Sequence, residues 1–188
     1  MKRCLLAVTV IAMFSVSAFA AFTPLKLSVW GKKIALPPVG DVYGVELGLA
    51  SYSPVLKGIQ YNILFSKSDN MIGLQTAFVT RSRKFIGLQM GISNLTNHDG
   101  DFSGMQIGAV NRAKFFRGLQ IGVIFNKVAE EMNGVQIGLI NSATVFRGLQ
   151  IGLINTARDA KGVQLGLINI MRNSYVPVMV ILNVKFEI

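Results

Sequence analysis

The chain has 188 residues, of which 51% are hydrophobic and only 15% charged, and its net charge is +10. One histidine, His98, and one cysteine, Cys4, cannot supply a nucleophile–His–acid set or a His/Cys zinc cluster. The common hydrolytic and metal chemistries are thereby excluded, and the expectation is a protein with no enzymatic activity and no cofactor.

Lys2 and Arg3 open the chain, Leu5–Phe14 is apolar, and Ala18-Phe19-Ala20 offers a small-x-small cleavage site. This is the plan of a secretory signal peptide over residues 1–20. The apolar run is too short for a membrane span. Residues 21–188 then form one β domain without cysteine, which draws its stability from packing or from a membrane.

A repeat occupies residues 44–169. Its glycines are Gly44, Gly58, Gly73, Gly87, Gly104, Gly118, Gly134, Gly148 and Gly162. The fullest form reads Gly, aliphatic, Gln, aliphatic, Gly, aliphatic, Ile or Val, Asn, as in "GLQIGLIN" at Gly148–Asn155. Leu149, Ile151 and Leu153 alternate with Gly148, Gln150 and Gly152, and a period of two means strand. Between these runs lie about six polar residues such as "TARDAK", which read as turns. A closing strand spans residues 175–188, where Leu182, Val184, Phe186 and Ile188 alternate with Asn183, Lys185 and Glu187.

Spacing and charge both alternate along the repeat. The step is fourteen from Gly44 to Gly58, Gly73 to Gly87, Gly104 to Gly118 and Gly134 to Gly148; the steps between are fourteen to seventeen. Every second turn is purely basic, carrying Lys57; Arg81, Arg83 and Lys84; Arg112, Lys114 and Arg117; Arg147; and Arg172. The other turns mix Lys67, Lys127, Arg158 and Lys161 with Asp69, Asp99, Asp101, Glu130, Glu131 and Asp159. This parity predicts an antiparallel up-and-down meander, in which alternate turns share one end.

Closing that meander removes its edges. The expected fold is therefore a membrane β-barrel of about ten to twelve strands. A parallel coil with one strand per repeat is set aside, because parallel neighbours need a crossover of about a dozen residues. The alternative is a two-sheet β-solenoid with 28-residue rungs. In a barrel, Leu149, Ile151 and Leu153 face lipid, so Ile151→Arg should cost far more than Gln150→Ala.

The repeats resemble a family of bacterial surface-repeat proteins built from G-[LVI]-Q-[IVL]-G-[LIV]-[IFY]-N units, which implies an exported envelope protein and carries over no catalytic residue. The closing strand resembles the terminal strand of bacterial outer-membrane barrels, but ends in Ile rather than an aromatic. These resemblances imply an outer-membrane protein, structural or passing or binding small solutes, that meets membrane lipid and the outer-membrane assembly machinery. A secreted, soluble β-repeat protein acting as a surface interaction module is the alternative.

Candidate sites follow from the columns. Gln60, Gln75, Gln89, Gln106, Gln120, Gln136, Gln150 and Gln164 either line a barrel lumen or form an amide ladder that fixes register. The nine cations of the purely basic turns form a rim for anionic lipid or lipopolysaccharide phosphates, facing outward if the C-terminus is periplasmic. Basic and aromatic residues together also suit nucleic acid, but an exported protein rarely meets it, and none is expected. Asn97, Asp99 and Asp101 in "NHDGD" can offer oxygens to Ca²⁺, although an ordinary Asp-Gly turn is the plainer reading.

Overall fold

The computed structural model describes residues 22–186 other than 32, 39, 98 and 99, so the expected signal peptide lies outside it. The described residues are almost all strand: β1 (Phe22–Trp30), β2 (Ile34–Leu36), β3 (Asp41–Thr76), β4 (Val79–Met90), β5 (Ser93–Thr96), β6 (Asp101–Ala113), β7 (Phe115–Ile151), β8 (Ile154–Met171) and β9 (Val178–Lys185). All belong to one sheet in the order β2-β1-β3-β4-β5-β6-β7-β8-β9.

The pairing is parallel from β1 through β8, and this overturns the closed antiparallel barrel. Gly73 pairs with Gly87, Gly87 with Gly104, Gly104 with Gly118, and Gly148 with Gly162. Each repeat unit is thus one coil of a β-solenoid, stacked on the coil fourteen to seventeen residues before it. The 28-residue rung of the alternative is also wrong, by a factor of two. Only the end strands run antiparallel, β2 on β1 and β9 on β8.

The error in the sequence reading lies in the polar segments. "TARDAK" is not a turn: Ile154–Met171 is continuous strand, and β3 and β7 likewise run on around the corners. Ala157 and Ala160 point inward from this segment while Thr156, Arg158 and Asp159 stay outside the core. A second, polar-faced strand therefore returns the chain, and the return is itself the crossover that parallel neighbours require. Two ends with distinct turns do not exist, so the alternating charge is not a sorting by end. The longer steps are local. Gly108 and Val110 in one coil align with Gly122 and Phe125 in the next, a bulge that absorbs an extra residue and restores register by Asn111↔Asn126.

Two apolar columns fill part of the interior. One contains Val42, Leu56, Met71, Phe85, Phe102, Phe116, Met132, Phe146 and Ala160, two residues before each repeat glycine; the other ends in Ala113, Val128, Ala143, Ala157 and Met171. Phe85, Phe102 and Phe116 stack at 4.8 Å between ring centroids, with their planes nearly parallel, because the coil spacing imposes that distance. The repeat glycine is required by backbone. Gly148 has φ 133°, and a Cβ there would stand 2.0 Å from the carbonyl oxygen of Gly134 in the preceding coil.

Candidate functional site: a ladder-locked apolar face between cation columns

Alternation places the eight glutamines in the interior, all fully buried. Each Gln Nε2 donates to the Gln Oε1 of the preceding coil, from Gln164 down to Gln60, at 2.6–2.8 Å. The ladder ends where Gln60 Nε2 donates to Glu46 Oε2 at 2.7 Å. Glu46 occupies the glutamine position of its coil, and Lys26 pairs with Glu46 one coil earlier. Their Nζ–Oε1 distance is 3.0 Å, with both side chains buried. Lys26 Nζ also donates to the Tyr52 carbonyl and to Ser53 Oγ. Every glutamine thus points its N–H edge toward one carboxylate, and the lysine neutralises that carboxylate where water cannot. There is no barrel lumen for these amides to line.

A second ladder runs the other way. Asn94, Asn111, Asn126, Asn141 and Asn155 each donate Nδ2 to the Asn Oδ1 of the following coil, the last to Asn169, at 2.8–2.9 Å. The same Nδ2 groups donate to strand carbonyls of that next coil, such as Ile151 O for Asn141 and Leu165 O for Asn155. The two amide columns therefore oppose their dipoles inside one core. The second glycine of the motif makes the asparagine possible. A Cβ at Gly152 would lie 2.7 Å from Asn141 Nδ2 and 3.1 Å from Asn155 Oδ1. Where that glycine becomes Asn62, the coil carries Ser66 instead of Asn, and Asn62 Nδ2 donates to Ser51 and Ser66.

With the polar side chains inside, the aliphatic columns face out. Ile137, Leu139, Ile151, Leu153, Leu165 and Leu167 are exposed, and the equivalent positions of earlier coils carry Tyr61, Ile63, Phe78, Ile92 and Val123. From Val45 to Ile168 the outward positions of the Gly-x-Gln-x-Gly strand contain no charged residue.

The predicted basic rim is redistributed by the parallel register. One column, beside the glutamine strand at its start, holds Lys57, Arg117, Arg147 and Lys161, each directly before a repeat glycine. The other, just past the Asn column, holds Lys67, Arg81, Arg112 and Lys127, with Lys67↔Arg81 and Arg112↔Lys127 paired in register and Leu95 between. Neither column contains an acid. Lys67, Lys127 and Lys161 were missed because they sit in mixed turns, and alignment on the asparagines as well as the glycines reveals them. Arg83 and Lys84 lie elsewhere, on the return strand, with Lys114 at the break between β6 and β7 and Arg172 just past the end of β8. Asp69, Asp101, Glu130, Glu131 and Asp159 share that strand, where Arg147 reaches Glu131 and Lys185 Nζ comes within 3.9 Å of Asp159.

Of the Ca²⁺ candidate, Asn97 and Asp101 lie among the described residues. Asn97 Oδ1 accepts from Arg81 Nε at 2.6 Å, and Asp99, like His98, lies outside the described residues. Among the described residues no group of three His, Cys, Asp or Glu can hold a metal. Comparison with protein-family models, with curated proteins and with solved structures returned no match for this chain.

Proposed function

We propose that the protein is a non-catalytic interaction module of the bacterial envelope, an exported β-repeat solenoid that works through its apolar outer face. The observation that carries this reading is the uncharged aliphatic sheet, held flat by buried amide ladders beneath it. A contiguous exposed apolar patch on this scale marks a contact surface, since isolated exposed hydrophobics are ordinary but a continuous sheet of them is not. The resemblance of the repeats to bacterial surface-repeat proteins and the signal-peptide plan of residues 1–20 support an exported setting.

The test is co-sedimentation of the purified chain with washed bacterial envelope fragments. The double variant Ile137→Asp/Ile151→Asp alters exposed positions only, so its far-UV spectrum should match the parent while most of it stays in the supernatant. Equal sedimentation of parent and variant would remove the apolar face from the function.

A further inference from the structure

We infer that the apolar face lies flat on a bilayer leaflet carrying anionic phospholipid, an inference that rests on the interaction-module reading and names its partner. The argument is where the charges fall around that face. Arg81, Arg112 and Lys127 on one flank and Lys57 and Arg117 on the other are exposed, each one inward-pointing residue away from the aliphatic columns, and Arg147 continues the second flank with Glu131 as its partner. Both flanking columns are free of acids, while the described exposed acids of the repeat lie on the return strand. An amphipathic element with an apolar centre and cationic margins is the pattern that seats at a membrane interface, where aliphatic side chains enter the acyl boundary and Lys and Arg meet phosphates. No helix of the described residues is long and apolar enough to cross a membrane, and the face supplies contact in the plane instead.

A second copy of the chain fits less well. Face-to-face pairing about a two-fold axis parallel or perpendicular to the columns, the arrangement that overlaps the two elongated faces most fully, sets a cation column of one copy against a cation column of the other. An anionic leaflet answers both columns at once. The face measures roughly 40 Å by 15 Å from strand and coil spacings. Many headgroups can therefore be engaged together.

The experiment is flotation with vesicles of phosphatidylcholine alone and with vesicles in which phosphatidylglycerol replaces about a third of it. The parent should partition at least about tenfold better to the anionic vesicles at low salt, and most of that preference should vanish near 1 M salt. Arg81→Ser/Arg112→Ser/Lys127→Ser should lose the preference. Lys84→Ser/Arg158→Ser/Arg172→Ser, which removes the same charge away from the two flanking columns, should largely keep it. Ile137→Asp/Ile151→Asp should bind neither vesicle. Equal loss in the two triple variants would reduce the effect to net charge and overturn the inference. So would envelope binding that depends on Ile137 and Ile151 without any vesicle binding, although the interaction-module reading would then stand. Concentration-dependent dimerisation with no flotation would assign the face to a second copy.

Discussion

Gln150 and Ile151 are neighbours with opposite fates. Gln150 donates to Gln136 and accepts from Gln164 inside the core, whereas Ile151 is 37% exposed. Gln150→Ala strands the Gln136 oxygen and the Gln164 N–H without water, so it should cost about 2–4 kcal/mol. Ile151→Arg should stay within about 0.5 kcal/mol, as surface substitutions do. This order is the reverse of what a barrel requires, and denaturant titration of both variants measures it. Tyr52 gives a second residue-level outcome. Its hydroxyl donates to Asp69, and that bond, then burial, then the Asp69 charge push the phenol up from 10.0 to about 12. Above pH 10 the unfolded chain releases this proton while the folded chain keeps it, so stability is intact below pH 10 and drains away toward pH 12. Thermal midpoints across that window should fall less steeply for Tyr52→Phe than for the parent.

At the scale of the coil, the glycine that opens each repeat is the least replaceable residue. Gly148→Ala adds strain from a positive φ to a clash with the Gly134 carbonyl, and only separation of two coils relieves it. A loss above about 4 kcal/mol is expected, large enough for calorimetry to show a broadened transition as cooperativity across the stack fails. The strand of each coil was legible because Leu149, Ile151 and Leu153 alternate without a break. The return strand was not, because its two inward residues in "TARDAK", Ala157 and Ala160, are small and carry no apolar signal strong enough to mark that segment as strand. The ladder was legible as one of two readings of the glutamine column. Its termination was not, because pairing Lys26 with Glu46 needs the parallel register that only the fold supplies. Charge parity misled for the same reason. Lys67 and Arg81 lie in turns of opposite parity, yet they occupy one column.

The whole molecule has unlike ends and a uniform middle. The short β2 covers one terminal strand and the reversed β9 covers the other, which limits exposure of the open edges that would otherwise recruit further strands. From Gln89 and Asn94 onward each coil offers the next the same two amides, in opposite senses, at the same places. Glu46 and Lys26 stop the glutamine series on one side only. New units are therefore acceptable anywhere in the interior, but not beyond that carboxylate. Because one coil adds about 4.8 Å of length and one more row of aliphatic side chains, the contact surface grows in equal increments. Gene duplication of a single unit would lengthen the footprint by a fixed quantum, leaving its chemistry and its seal at either end untouched. On the proposed reading, binding strength is set by counting coils rather than by redesigning any one of them.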